Sequence, residues 1–314
     1  MSTIQVEITE FISHCKFEKN LSEKTIKAYS IDLVQFVAFL IKRDHPLKIS
    51  GISKLELRGF LESLSHLKPK SVKRKIATIK AMFNFLEFED KILINPFRKM
   101  RIRIQEPKRL PKILDIKEVQ AIFRVVYQRN LACPNLDSYS YLESLRNIVV
   151  IELLFATGAR VSEIANIKTE NIDIGSGGMR IKGKGDKERF IQICNEETLS
   201  VLQKYQSSFK ERMHLASGYF LVNRLGKKLS DQSIRGIVKS ITIKARIKRH
   251  ITPHIFRHSF ATLLLEKDVD IKYIQVLLGH SSIVTTQIYT HVNRKKQRQI
   301  LKAKHPRMDF SMNF

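Results

Sequence analysis

Apolar positions in the first hundred residues recur three and four apart, the repeat of a helix that buries one face. After Ser22, a suitable N-cap, the residues Ile26, Tyr29, Leu33, Phe36, Val37 and Leu40 share such a face. Ser53 followed by Glu56 is a capping-box pattern that predicts a second helix running to about Leu64. A third, from Ser71 to about Phe88, would bury Ile76, Ile79, Phe83 and Leu86. The pattern breaks at 98–112, RKMRIRIQEPKRLPK, with seven basic residues, one acid, two prolines and no sustained apolar period. That composition predicts a linker, with a domain boundary near Pro107.

Helical periodicity resumes at about 115–128 and 144–157, on either side of a polar stretch, QRNLACPNLDSYSY, that predicts an inserted loop. Gly158 stops the second of these helices, and Ser162 restarts another to about Ile167. The one clear β signal is MRIKGKGDKERFIQI at 179–193, strand-like flanks around a Gly-Lys-Gly-Asp turn. The remainder reads as helix. Leu277 and Leu278 end one amphipathic helix, Gly279 caps it, and Ser281 or Ser282 starts the next. The expected architecture is mainly α: a small helical domain at 1–100, a basic linker at 101–111, and a mostly helical domain with a small antiparallel β-sheet at 112–314.

Charge changes the picture more than length does. The 314 residues carry 56 Lys and Arg against 30 Asp and Glu, a formal net charge of +26. Solubility needs far less, so a polyanionic partner is expected, nucleic acid first and a membrane surface second. The longest apolar run, IVVIELLFA at 148–156, is far short of a span and contains Glu152, so no membrane association is expected. The start, MSTIQVEITEF, lacks the basic and apolar regions of an export signal. Cys15, Cys133 and Cys194 are few and scattered, which suits reduced thiols. A cytoplasmic, nucleoid-associated protein is expected.

Several motifs can be weighed. Gly178, Gly183 and Lys184 approach a P-loop, but Gly185 stands where Ser or Thr is required and no helix follows. His254 and His258 have the spacing of zinc ligands, but Ile255 replaces the glutamate of a metalloprotease. No metal and no cofactor is expected. Lys70, Lys73, Arg74, Lys75 and Lys80 make a basic face at one helix start, and Arg101 and Arg103 continue it in the linker. Solvation alone explains such a face on a single helix; in a chain this basic, phosphate contact is the better reading, and these seven are candidate DNA-binding residues. Arg160, Lys184, His254, Arg257 and His280 are phosphate-directed residue types, each structural if taken alone. Two arginines converging on one phosphodiester would hold the charge of a pentavalent transition state. A tyrosine phenol, a poor nucleophile when isolated, becomes competent when cations lower its pKa and a base is near.

ATGARVSEI at 156–164, IKGKGDKER at 181–189, HIFRHSFAT at 254–262 and LLGHSSIVTTQIYTHV at 277–292 together resemble the tyrosine recombinases of the Xer and phage-integrase type. They occur in the family's order and cover most of residues 108–292. The resemblance implies that Arg160 and Arg257 clamp the scissile phosphate and that Lys184 protonates the leaving 5′-oxygen. It implies that His254 contacts the phosphate as acid or base, His280 completes the phosphate-binding set, Glu163 supports the site, and Tyr289 attacks. NLSEKTIKAYSIDLVQFVAFL and INPF at 94–97 resemble the first helix and the exit of the family's SAM-like core-binding domain, which with the catalytic domain clamps duplex DNA. The implied function is site-specific recombination of double-stranded DNA through a 3′-phosphotyrosyl intermediate and a Holliday junction, in a tetramer, without metal or ATP. After the tyrosine, Arg294, Lys295, Lys296, Arg298, Lys302, Lys304 and Arg307 line a terminal helix with Ile300 and Leu301 as apolar anchors. It is either a basic tail on DNA or, as the resemblance implies, a segment that docks on the neighbouring protomer. The alternatives are DNA relaxation of the type IB topoisomerase kind and a catalytically silent DNA-binding accessory factor.

Overall fold

The computed structural model describes residues 3–106, 112–136, 138–183, 188–279 and 294–312. The chain divides into two compact units, residues 1–109 and 110–314. Among the described residues no helix is long and apolar enough to cross a membrane.

The first unit is four helices, α1 (Ile4–Phe17), α2 (Glu23–Lys42), α3 (Lys54–Ser63) and α4 (Pro69–Phe88). Ser22 caps α2 by accepting the Thr25 N–H, and the Ser53–Glu56 capping box opens α3. Leu33, Phe36 and Leu40 of α2 meet Ile76, Ile79, Phe83 and Leu86 of α4 in one buried cluster, with Ile26, Tyr29 and Val37 at its edge. Helix α1 was not anticipated; Ile4, Phe11 and Cys15 bury its inner face, and the Phe11 ring stacks on Tyr29 with centroids 5.9 Å apart.

Two expectations for this unit need correction. Lys75 does not join the exposed basic face: it is buried, and its Nζ donates to Asp32 at 3.0 Å and to Gln35. Asp32 is itself fully buried on α2 and also receives Arg74 and the Thr78 hydroxyl (3.1 Å). A carboxylate out of water must be paired, and it draws Lys75 inward to meet that need. The stretch after α4 also has a period after all, of two: Met100, Ile102 and Ile104 pack on the helical cluster while Arg101 and Arg103 stay exposed.

The second unit is built around α6 (Tyr139–Thr157), whose residues from Ser144 to Thr157 are all buried. Packed on it are α5 (Ile116–Leu131), α8 (Glu196–Leu215) and α10 (Pro253–Glu266); α9 (Asp231–Lys244) also touches it. The polar stretch at 128–143 is not a long insertion, since α5 consumes its start and α6 its end, leaving only 132–138 between them. After the short α7 (Val161–Ala165) come three antiparallel strands, β1 (Ile172–Asp173), β2 (Gly178–Lys182) and β3 (Glu188–Gln192), with Ile181 opposite Arg189. Strand β1, two residues long, gave no sequence signal.

Helices α11 (Ile271–Leu278) and α12 (Arg294–Lys304) complete the unit. Leu301 is fully buried with Phe260, Leu264, Ile274, Leu277 and Leu278, and Ile300 lies against them. Thus α12 docks on its own chain through the two expected anchors. Arg307, grouped above with the basic tail, is fully buried in the 3₁₀ turn that follows. Its guanidinium donates to Glu152 of α6 (2.9 Å), Glu197 of α8 (2.9 Å) and the Phe310 carbonyl (2.8 Å). It lies 5.0 Å from the Phe123 ring centre and 4.7 Å from that of Phe310.

Candidate active site

The site begins where α6 stops. Gly158 has φ of +56°, and a Cβ there would stand 2.5 Å from Phe260 Cδ1 and 3.0 Å from Leu278 Cδ2. Only glycine tolerates both the backbone conformation and the contact. The turn leads directly to Arg160, which precedes α7 in extended conformation. Arg160, not Ser162, is the N-cap residue, and Glu163 accepts its backbone N–H at 2.8 Å. The same carboxylate accepts the Arg160 side chain at 2.7 Å, so one glutamate fixes both the backbone and the guanidinium.

Arg257 comes from α10, one turn after Pro253 sets the helix start and on the side turned into the unit. It is buried and donates to the Gly158 carbonyl at 3.0 Å and the Leu278 carbonyl at 2.7 Å. Arg160 reaches the next carbonyl of that helix end, Gly279, at 3.5 Å. The two guanidiniums therefore meet at consecutive carbonyls of the α11 terminus, which ends at Gly279 with φ of +65°. Burial first and the nearby Arg160 second push the Arg257 pKa down to about 10, against the opposing pull of Glu163. His254 is exposed at the start of α10. Partial desolvation first, and then the nearby Arg235, Arg257 and Arg160, press its pKa down, which keeps a neutral ring able to accept a proton.

The sequence reading missed Arg189, which lies inside the quoted IKGKGDKER stretch. From β3 it forms a two-pronged pair with Glu163, at 3.1 and 2.7 Å, and its Nε donates to the Leu277 carbonyl at 2.9 Å. Burial would raise the Glu163 pKa, but Arg189 first and Arg160 second hold it below the usual carboxylate range. The available signal was an arginine amid β-branched and aromatic strand residues, which needs a partner when it faces inward.

The structure thus brings Arg160, Glu163 and Arg257 together, with His254 on the same helix as Arg257. Lys184, His280 and Tyr289 lie outside the described residues. Among the described residues there is no group of three or more His, Cys, Asp or Glu placed to hold a metal ion. The candidate DNA-binding residues lie in the first unit: Lys70, Lys73, Lys80, Arg101 and Arg103 are exposed, with Lys73 paired to Glu106 at 2.9 Å, and Arg74 is half-exposed on Asp32.

Comparison with known proteins bears on this arrangement. The phage integrase family matches residues 113–296, and the N-terminal SAM-like domain of phage integrases matches 8–90. A tyrosine recombinase of Agathobacter rectalis is 45% identical over 312 residues, covering 99% of both chains. The chain belongs to the phage integrase family. It is a tyrosine-type site-specific recombinase. The tyrosine recombinase XerC of Staphylococcus epidermidis is 34% identical to it over 95% of the recombinase and 96% of the relative. Its fold is shared with the XerH recombinase in a pre-cleavage complex with difH (TM-score 0.67, 24% identity, 93% of the recombinase and 83% of that chain). The same holds for a lambda integrase fragment bound to a COC′ core site (TM-score 0.65, 19% identity, 90% and 97% coverage).

Proposed function

We propose that the recombinase cleaves and rejoins double-stranded DNA through a 3′-phosphotyrosyl intermediate. The observation that carries this reading is the convergence of Arg160 and Arg257 on one helix end, Arg160 fixed by Glu163 and Arg257 by two backbone carbonyls. A bound phosphodiester supplies an anion, and the paired forks stabilise the charge that grows in the pentavalent transition state. Because the arginines are held before DNA arrives, little reorganisation is needed during reaction.

Tyr289 attacks phosphorus, the phosphotyrosyl bond forms, and the bond to the 5′-oxygen breaks; Lys184 gives that oxygen its proton. His254 takes the phenol proton, and His280 completes the phosphate contacts. The phosphodiester energy is kept in the new bond, so the free 5′-hydroxyl of another strand displaces the tyrosine without ATP. Two such exchanges, made by four protomers through a Holliday junction, complete recombination. Lys70, Lys73, Lys80, Arg101 and Arg103 contact phosphates, with Arg74 partly engaged at Asp32, and the protein works on DNA in the cytoplasm.

The test uses a duplex carrying a binding site selected from random sequence, nicked just beyond the cleaved phosphate so that religation fails. In EDTA and without ATP, wild type should give a covalent protein–DNA band and Tyr289→Phe none. Tight binding by wild type without a covalent band would overturn the proposal in favour of a silent DNA-binding factor.

A further inference from the structure

Three consecutive carbonyls end α11, and each accepts from a different arginine: Leu277 from Arg189 (2.9 Å), Leu278 from Arg257 (2.7 Å) and Gly279 from Arg160 (3.5 Å). The last carbonyls of a helix have no partner within it and carry its negative end, so cations are well placed there. Two of the three arginines belong to the proposed phosphate clamp. The third does not: the Arg189 side chain is only 10% exposed, and all three of its nitrogens are engaged with Glu163 and Leu277. Arg189 has no free fork to offer DNA.

We propose that Arg189 is a positioning residue that ties together the three segments supplying the catalytic groups. This rests on the phosphotyrosyl reading above. Through Glu163 it fixes Arg160, since that one carboxylate also holds the Arg160 backbone and side chain. Through Leu277 it fixes the helix end from which the chain continues to His280 and Tyr289. Its own place on β3, at 189, fixes the strand that follows Lys184 in the chain. The fit is close: a Cβ on Gly279 would stand 3.1 Å from both Cδ and Nη1 of Arg189. A lysine cannot replace it, because one ammonium cannot reach two carboxylate oxygens and a carbonyl in the directions a planar fork spans.

The experiment compares Arg189→Lys, Arg189→Gln, Glu163→Gln and the double variant Glu163→Gln/Arg189→Gln on the nicked duplex, measuring binding and covalent-complex formation separately. A displaced catalytic group lowers rate far more than affinity, so Arg189→Gln should bind within about 3-fold of wild type yet cleave about 100-fold more slowly. Arg189→Lys should keep the charge without restoring the rate, and the double variant should be no slower than the worse single one. A third readout needs no chemistry: amide exchange at the α11 terminus, including Gly279, should rise in Arg189→Gln and stay at the wild-type rate in α6. Full activity in Arg189→Lys, strict additivity with Glu163→Gln, or a loss of one phosphate contact from the salt dependence of binding would each overturn the assignment. If wild type forms no covalent complex, the phosphotyrosyl reading fails, and the exchange result alone decides whether Arg189 holds the helix end.

Discussion

Replacing Arg307 with methionine isolates the contribution of one buried ion pair to the catalytic unit. Arg307 and Glu152 are both fully buried, and the guanidinium makes contacts of 2.9 to 3.2 Å to that carboxylate. Methionine keeps apolar bulk between Phe123 and Phe310 but leaves Glu152, among the described residues, with the hydroxyls of Tyr127 and Thr198 as donors. Removing one partner of a buried pair costs about 3–5 kcal/mol, because the remaining charge is stranded in a low dielectric. In a unit of this size each kcal/mol moves the melting temperature by about 2–4 °C, so the transition of residues 110–314 should fall by roughly 6–20 °C. Scanning calorimetry of the full chain would resolve it from the transition of residues 1–109. Adding Glu152→Gln to Arg307→Met removes the stranded charge and should restore at least half of the loss. A drop below about 2 °C in the single variant, or no recovery in the double, would refute the reasoning.

Other outcomes follow from the same geometry. Gly158→Ala should slow cleavage by 100-fold or more and lower the melting temperature of its unit, since the new Cβ meets Phe260 and displaces the turn that carries Arg160 and accepts from Arg257. Lys75→Met should destabilise residues 1–109 by calorimetry without altering the salt dependence of DNA binding, whereas Lys70→Ala or Lys80→Ala should each reduce that slope by about one. His305 is buried, accepts the Arg307 N–H at Nδ1 and donates from Nε2 to Ala156; burial, above all, holds its pKa down to about 4. Its neutral form therefore contributes full stability above the ordinary histidine value of about 6.5. That contribution is lost as pH falls from there toward 4, because the unfolded chain takes up the proton first. Melting temperatures of His305→Gln should depend less on pH in that window than those of wild type.

Most helices were legible because their signals are local. The Ser53–Glu56 box, the Ser22 cap and the Gly158 and Gly279 stops act within a turn of where they occur, and the structure has all four. Motif order singled out Arg160, Glu163 and Arg257, which the structure brings together, since one turn of helix or one tight bend sets each. The misses depend on partners far along the chain. Lys75 is drawn inward by Asp32, forty-three residues earlier, and Arg307 by Glu152, 155 residues earlier. Glu152, inside the apolar run 148–156, is legible as a buried carboxylate, but nothing near it in the sequence names Arg307 as its partner. Arg189 was hidden for the same reason: its three bonds reach Glu163 and Leu277, on two other elements.

The docking of α12 on its own chain sets a leash on Tyr289. Tyr289 stands five residues before Arg294, where α12 begins, and ten after Gly279, where the arginine-bound helix ends. A chain spans at most about 3.3–3.6 Å per residue, so the tyrosine stays within about 17 Å of the α12 start while Leu301 and Arg307 remain seated. On the proposed mechanism, the phosphate that Tyr289 attacks while α12 is seated must lie within its reach from that radius. To reach a more distant phosphate, α12 must first leave its seat, so on that mechanism the strength of the Arg307 anchor sets how readily the tyrosine travels further.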